Sequence, residues 1–323
     1  MNKEEDPLKI LFFGIGSIGK RHATILNNHY NVELYAMRTN KGQESHNLPI
    51  TEFTTLEDAF SINPDICFIT NPTFLHVPTI IECVRHNIPM FIEKPISNSL
   101  NGVDKLREEI IKREIFTYVA YNLRFHPIIN HIKQIISSDE EKPIYFRIIC
   151  SSYLPNWRPN QHYEDSYSAK REQGGGVILD LSHELDYINW LFGDIQHITG
   201  YVGKISNLKI TSEDIGEIQI ICKGGIRGSL HLDYLSHFHE HKIQIYYNTK
   251  YIEGNILNNT ITTIDKNREI DIETFSGDRN DVFKKQLDFF FEQYQLNNLN
   301  LMNNFSEASE IFKRIIEFKS GVI

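Results

Sequence analysis

Glycines spaced for a dinucleotide stand near the start of the sequence, as Gly14-Ile15-Gly16-Ser17-Ile18-Gly19. The run follows a predicted buried strand and opens a predicted helix, which is the setting that such a motif needs. The first glycine permits a tight turn, the second lets the backbone approach a pyrophosphate, and the third lets the helix pack against the strand. We therefore predict that a nicotinamide dinucleotide binds here, to Gly14, Gly16, Ser17, Ile18 and Gly19. A glycine turn without a ligand is the alternative.

The residue that would read the adenosine ribose is Arg38, which ends the second predicted strand nineteen positions after Gly19. An acidic residue at about this distance binds the 2′-hydroxyl of NAD. An arginine can instead pair with the 2′-phosphate of NADP. Arg38 thus favours NADP over NAD as the cofactor, against the alternative of a solvated surface arginine.

Two further motifs follow the next strands of the predicted parallel sheet. One is Asn71-Pro72-Thr73-Phe74-Leu75-His76, and the other is Glu93-Lys94-Pro95. Loops at the carboxyl ends of parallel strands face the ligand crevice. Partial desolvation there suits Lys94 to proton transfer, although an isolated lysine is more often simply exposed. Five residues are predicted to contact the cofactor: Thr70, Asn71, His76, Glu93 and Lys94.

A helix after three consecutive glycines supplies the predicted acid/base group. One continuous helix is expected over Val177–Phe192, with an apolar stripe on one side. Its opposite side gathers titratable and hydrogen-bonding groups: Asp180, His183, Glu184 and Tyr187. Asp180 and His183, three residues apart, can share a hydrogen bond or a substrate. The alternative is an ordinary polar face on which His183 pairs with Asp186.

The elements that must position these groups change character near residue 121. Over residues 1–121, apolar runs alternate with helical segments, which predicts an N-terminal Rossmann domain with a doubly wound parallel sheet. Over residues 122–323, closely spaced strand-like runs separated by turn signals predict a C-terminal α/β domain with a large, mostly antiparallel sheet. The C-terminal helix is expected to pack back on the first domain.

The length and composition of the chain limit the classes of function that it can have. A chain of 323 residues exceeds the usual size of one domain. The net charge of −9 argues against nucleic-acid and membrane partners, because both require basic surface. The N-terminal run lacks the apolar core of a signal peptide, so we expect a cytoplasmic protein. The four cysteines form no C-x-x-C pair, and neither a disulfide framework nor a metal site is predicted.

Taken together and in order, the motifs resemble those of the Gfo/Idh/MocA family, named for glucose–fructose oxidoreductase and inositol dehydrogenase. They are G-x-G-x-x-G with a following Lys20-Arg21-His22, then N-P-x-x-x-H, E-K-P, Tyr121–Pro127, and G-G-G-x-x-x-D with a nearby histidine. The resemblance covers nearly the whole chain. It implies a nicotinamide cofactor and hydride transfer at a hydroxyl or keto carbon of a sugar or cyclitol. It also implies a homodimer or homotetramer formed through the C-terminal sheet.

The resemblance assigns roles to individual residues. Lys94 matches the lysine that binds the substrate hydroxyl and the nicotinamide ribose, and His183 matches the main acid/base. The family spaces its aspartate and histidine four apart, whereas Asp180 and His183 are three apart. Either Asp180 or Glu184 is therefore expected to join His183 in the site.

The loop Leu154–Gln173 precedes this helix and is expected to select the substrate. Its aromatic rings suit sugar faces and its cations suit a phosphate, which favours a nucleotide- or phospho-sugar over the alternative of a solvated loop. The predicted substrate-binding residues are Lys94, Asn122, Arg124, Trp157, Arg158, Tyr163, Asp180 and His183. Two other functions stay open. One is an NAD-dependent glycosidase or lyase that recycles its cofactor internally, and the other is a non-catalytic NAD(P)-binding sensor.

Overall fold

The computed structural model describes residues 6–38, 47–158 and 161–321. These residues divide into two units. Unit 1 comprises residues up to Ala120 together with Leu287–Ser309, and unit 2 comprises Tyr121–Gln286 together with residues from Glu310 onward. Each unit has its own sheet.

A six-stranded parallel sheet organises unit 1, with strand order β3-β2-β1-β4-β5-β6. This is the order of a doubly wound dinucleotide-binding fold, so the predicted Rossmann domain is confirmed. Every residue from Ile10 to Phe13 and from Ile66 to Ile69 is buried in the two central strands, because helices cover both faces of such a sheet. The strands are β1 Leu8–Phe13, β2 Val32–Met37, β3 Ile50–Phe53, β4 Ile66–Ile69, β5 Met90–Ile92 and β6 Thr117–Val119, and the helices are α1 Ser17–His29, α2 Leu56–Ser61, α3 His76–Arg85 and α4 Val103–Lys112.

An eight-stranded sheet organises unit 2, in the order β14-β13-β12-β11-β7-β10-β9-β8. Only the β7–β10 pair is parallel among these strands, which confirms a mostly antiparallel sheet. The elements begin with α5 Pro127–Ser138, β7 Tyr145–Ser151, α6 Val177–Asp180, α7 Ser182–Phe192, β8 Ile195–Gly203, β9 Ile215–Cys222 and β10 Arg227–Asp233. They continue with β11 Glu240–Tyr246, β12 Lys250–Asn255, β13 Thr260–Asp265 and β14 Ile270–Thr274.

The single helix predicted over Val177–Phe192 is wrong in one respect. It is two segments, α6 and α7, joined at Leu181, whose backbone (φ −100°, ψ 33°) leaves the helical region. Glu184 and Tyr187, which the sequence places opposite the apolar stripe, are both buried. Burial in this segment therefore extends beyond the apolar stripe, although His183 stays half-buried.

Two helices end the described chain, α8 Arg279–Gln295 and α9 Phe305–Lys319. The boundary between the units falls within each of them. In the part of α8 that belongs to unit 1, the ring of Phe290 lies 5.8 Å from that of Phe68 and 5.2 Å from that of Phe91. Aromatic packing thus fixes this stretch against the parallel sheet of unit 1.

No helix in the described ranges is long and apolar enough to cross a membrane.

Candidate active site

The glycine-rich loop of unit 1 is shaped by close backbone contacts. Gly14 has φ +99°, and a Cβ atom there would lie 2.8 Å from the backbone of Asn71. A Cβ atom on Gly19 would lie 2.4 Å from the carbonyl oxygen of Gly14. Both positions therefore require glycine, the first for conformation as well as space and the second for space alone.

The end of this loop has the properties of an anion site. Gly16 is exposed, and a Cβ atom there would have no neighbour within 4 Å. It caps helix α1 without a side-chain hydrogen bond, and the first turn of α1 holds no acidic residue. The N–H groups of the first turn and the positive end of the helix dipole suit a pyrophosphate. Gly16, Ser17 and Ile18 thus fit the dinucleotide that the sequence predicts.

Hydrogen bonds hold the neighbouring loops of unit 1 in place. The Thr70 hydroxyl donates to the carbonyl oxygen of Gly14 at 2.5 Å. The ring of His76 bridges two loops, with Nε2 2.9 Å from the carbonyl oxygen of Asn71 and Nδ1 2.9 Å from that of Pro95. Burial lowers the pKa of His76, which is 1% exposed. His76 thus holds both loops in position, and its predicted contact with the cofactor stays a prediction.

The Glu93-Lys94 pair stands at the end of β5. Glu93 is buried, and its Oε1 lies 2.7 Å from Nε2 of the fully buried His22 on α1. Its carboxylate is thereby oriented from within the fold, which makes Glu93 a positioning residue as well. Lys94 is half-buried. The sequence did not predict a role for His22, although this residue lies in the run that follows the glycine motif.

Arg38 at the end of β2 has an acidic partner that the sequence did not reveal. Its Nη1 lies 2.5 Å from Oε1 of Glu52 on the adjacent strand β3. The Glu52 side chain is 36% exposed and that of Arg38 14%. A 2′-phosphate at Arg38 would therefore lie close to a carboxylate.

In unit 2, Asp180 is held by two tyrosines. The hydroxyl of Tyr234 donates to Asp180 Oδ2 at 2.5 Å, and the hydroxyl of Tyr167 also bonds to this carboxylate. The negative charge of Asp180, followed by burial, raises the pKa of Tyr167, while burial followed by the Asp180 charge raises that of Tyr234. Both tyrosines are therefore neutral hydrogen-bond donors beside the Asp180 carboxylate.

His183 lies at the start of α7 and is half-buried. Its ring meets that of Tyr121 edge-on, with 5.7 Å between centroids. Glu184, the other candidate partner for His183, is 2% exposed, and its Oε1 lies 3.2 Å from Nε2 of His241. Of the two acids, Asp180 is thus the more accessible, at 7% exposed.

Arg124 forms a buried ion pair in unit 2. Its side chain is 0% exposed and donates two hydrogen bonds to Asp186, at 2.7 and 2.9 Å. Arg124 therefore helps to position α7 through Asp186, and its predicted substrate contact stays a prediction. Asn122, in the same short 3₁₀ turn, is also buried.

Part of the predicted substrate loop lines a small crevice within unit 2. Trp157 donates from Nε1 to the Ser152 hydroxyl at 2.9 Å, and the Arg158 guanidinium lies over the ring of Tyr167 at 5.0 Å. Trp157, Arg158 and Tyr163 line the same crevice. An arginine and aromatic rings share one lining here, and their contact with a substrate stays a prediction.

Two family models match the chain. The model for an oxidoreductase family with an NAD-binding Rossmann fold matches residues 8–121, and the model for the GFO/IDH/MocA C-terminal domain matches residues 131–253. The chain belongs to the Gfo/Idh/MocA family of oxidoreductases.

Curated relatives in this family share modest identity. A myo-inositol 2-dehydrogenase from Thermotoga maritima is 25% identical over 197 residues, covering 58% of this chain and 55% of that protein. A 2,7-anhydro-N-acetylneuraminate hydratase from Escherichia coli is 22% identical over 193 residues, covering 59% and 51%. The chain thus matches about half the length of each of these relatives.

Solved structures confirm the fold over the full length. The WlbA dehydrogenase from Chromobacterium violaceum, solved with NADH and UDP-GlcNAcA, superposes with a TM-score of 0.79. The superposition covers 98% of this chain and 95% of that one, at 17% identity. At this identity the likeness establishes the architecture of this Gfo/Idh/MocA member.

Proposed function

We propose that this protein is an NAD(P)-dependent dehydrogenase or reductase acting at a hydroxyl or keto carbon of a sugar, with a nucleotide- or phospho-sugar as the substrate class. The observation that carries the proposal is the dinucleotide loop of unit 1. Gly14 is held at φ +99° against Asn71, and Gly16 leaves open space at an uncapped helix N-terminus. Membership of an NAD-binding oxidoreductase family supports the same cofactor.

Three side chains have distinct roles in the proposed reaction. Gly14, Gly16, Ser17 and Ile18 would hold a nicotinamide dinucleotide, which would supply the hydride acceptor for oxidation and the hydride donor for reduction. His183 removes the hydroxyl proton during oxidation and returns it during reduction. The Lys94 ammonium donates a hydrogen bond to the oxygen on which negative charge develops. Asp180, fixed by its two tyrosines, supplies a carboxylate near the start of the helix that carries His183.

The substrate class rests on the side chains of the loop that lines the small crevice of unit 2. Trp157 and Tyr163 offer aromatic faces to a sugar ring, and Arg158 offers a guanidinium that suits a phosphate. The UDP-GlcNAcA in the WlbA dehydrogenase structure is a nucleotide sugar bound by a protein of the same architecture. A panel of UDP-sugars, sugar phosphates and free cyclitols, assayed with NAD and NADP in both directions, tests this assignment. Turnover confined to free cyclitols would contradict the nucleotide-sugar proposal.

The catalytic assignment predicts the effect of two substitutions. Lys94→Ala and His183→Ala should each lower kcat/KM by about 10²-fold or more, because a positioned acid/base or charge-stabilising group contributes on that scale. Dinucleotide binding, measured by fluorescence titration, should survive in both variants. Lys112→Ala on α4 and His197→Ala on β8 are matched controls, since both side chains are exposed. Near-normal turnover of either test variant refutes that residue's role.

The choice between NAD and NADP is proposed to depend on the Arg38–Glu52 pair. Arg38 attracts a 2′-phosphate and Glu52 repels it, so we expect the wild-type protein to prefer NADP only weakly. Glu52→Gln should raise the ratio of kcat/KM for NADP over NAD, and Arg38→Ala should lower it, by about tenfold in each direction. If both variants keep the wild-type ratio, the pair does not read the cofactor.

A second candidate function is a hydration or lyase reaction without net redox change. The relative from Escherichia coli is named a hydratase, and adding water leaves the overall oxidation state of a substrate unchanged. In that case product would form without accumulation of reduced nicotinamide. Product quantified by mass spectrometry, with nicotinamide absorbance followed in the same reaction, separates the two candidates.

We further propose that the protein forms a homodimer or homotetramer through the sheet of unit 2 and resides in the cytoplasm. All four cysteines are buried thiols, which is consistent with a reducing compartment.

A further inference from the structure

Three metal-ligating side chains of unit 2 meet in its interior. Cys150 on β7 stands directly opposite His241 on β11 in the antiparallel register, so both side chains lie on one face of the sheet. Glu184 reaches the same place from α7. All three residues are buried, with exposures of 5% for Cys150, 2% for Glu184 and 8% for His241.

The distances between their donor atoms are close to the distances between the ligand atoms of a bound metal ion. The thiol sulfur, a carboxylate oxygen and an imidazole nitrogen all lie within 4.8 Å of one another, and the His241 Nε2 to Glu184 Oε1 distance is 3.2 Å. Around a tetrahedral zinc, with bonds of about 2.0–2.3 Å, neighbouring ligand atoms are roughly 3.3–3.6 Å apart. Side-chain movements of about an ångström would therefore complete the site.

The electrostatics of the cluster favour a cation. Glu184 Oε2 and the hydroxyl of Tyr187, one turn along α7, are buried without a hydrogen-bond partner among the described residues. A buried carboxylate oxygen without a partner is costly, and a metal ion removes that cost.

We propose that Cys150, Glu184 and His241 bind one divalent transition-metal ion, with zinc as the physiological metal. A thiolate, an imidazole and a carboxylate form a donor set that zinc accepts, and three protein ligands leave a fourth position for water. The ion ties α7 to β7 and β11. The sequence did not predict it, because the ligands come from three separate elements and form no spaced motif.

Metal analysis and spectroscopy of the full-length, untagged protein test the proposal. Protein stripped with a chelator and titrated with Co²⁺ in the absence of nicotinamide should bind one ion per chain. It should show thiolate-to-cobalt charge transfer and the intense visible bands of four-coordinate cobalt. Zn²⁺ should displace the cobalt and raise the melting temperature, because it binds the folded state. Affinity should rise with pH as the thiol loses its proton.

Substitutions identify the ligands. Cys150→Ser should abolish the charge-transfer band and weaken binding at least about tenfold, and Glu184→Gln and His241→Gln should weaken it similarly. Cys222→Ser is the matched control, because Cys222 is a buried cysteine of the same sheet outside the cluster. The melting curve of each metal-free variant shows whether it folds. If Cys150→Ser does not fold, metal binding by Glu184→Gln and the cobalt spectrum of the wild-type protein test whether the cluster binds the ion.

An alternative binding site for the metal is the exposed pair His237 and His239, which precedes His241 in the sequence. If His237→Gln with His239→Gln removes the bound metal while Cys150→Ser retains it, the ion is adventitious and the proposal fails. Absence of a charge-transfer band in the wild-type protein at stoichiometric Co²⁺ also overturns it. Both measurements are independent of turnover, so their outcome does not depend on whether the protein has the proposed dehydrogenase activity.

Discussion

Two glycines of the nucleotide loop constrain the backbone for different reasons. Gly14 has φ +99° and lies against the backbone of Asn71. Gly16 has an ordinary extended conformation (φ −77°, ψ −166°), and its α-carbon faces open space. The first glycine is therefore required by the fold itself, whereas the second is required only by a ligand that approaches it closely.

This difference predicts opposite behaviour for two alanine variants. Gly14→Ala should lower the free energy of unfolding by about 1–3 kcal/mol, because a strained backbone and a clash with Asn71 are both introduced. Gly16→Ala should leave the melting temperature near that of the wild type but weaken dinucleotide binding at least about tenfold, because its methyl group occupies the ligand's space. Chemical denaturation and fluorescence titration of both variants check this. Equal loss of stability in the two variants would contradict the assignment.

For single residues, the sequence predicts which residues form the motifs but not which side chains those residues contact. Gly14, Lys94 and His183 could be singled out because each stands in a short run with a recognisable spacing. Glu52, the partner of Arg38, lies on the next strand, and Tyr234, the partner of Asp180, lies 54 residues further along the chain. Sheet pairing and tertiary packing bring them together, and one sequence without relatives contains no signal for such contacts.

Among the elements, α7 is held by a buried ion pair. Arg124 bonds Asp186 through two nitrogens and also lies 5.5 Å from the ring of Trp190. Neither side chain of the pair is more than 2% exposed. The short turn that carries Arg124 thereby fixes the helix that carries His183.

Removing one member of this pair should be strongly destabilising. Arg124→Met leaves Asp186 buried without its partner and should lower the free energy of unfolding by about 3–5 kcal/mol. The double variant Arg124→Met with Asp186→Leu should recover much of that loss, because no buried charge remains. Arg85→Met, which breaks an exposed i,i+3 pair with Glu82, is the control and should cost at most about 0.5 kcal/mol. Urea denaturation of the four proteins, wild type included, distinguishes these outcomes.

Strand and helix positions were predictable wherever apolar residues cluster. β2, β5 and β9 each coincide with a short run rich in apolar residues, which is the signal that predicts a buried strand. The edge strand β14 was not predicted, since all five of its residues are exposed. The break at Leu181 was not predicted either, because the apolar pattern continues through it from α6 to α7.

At the scale of the whole molecule, the sheet of unit 2 has one face that its helices cover and one that they leave partly open. A Cβ atom on Gly254 would meet Ile128 and Ile132 of α5, which identifies the covered face. On the other face, three half-buried tyrosines cluster across neighbouring strands: Tyr145, Tyr246 and Tyr251. Tyrosine is enriched in protein interfaces because it combines apolar area with a polar tip.

We expect this tyrosine cluster to lie in the interface between copies of the chain. Tyr246→Glu would place a charge in a desolvated contact and should raise the dissociation constant of the oligomer by about 100-fold or more. Light scattering coupled to size-exclusion chromatography, over a range of protein concentrations, measures this. Ile111→Glu on α4 is the control, because that side chain is 59% exposed in unit 1. A monomeric wild-type protein, or a variant with unchanged mass, would show that this face does not mediate assembly.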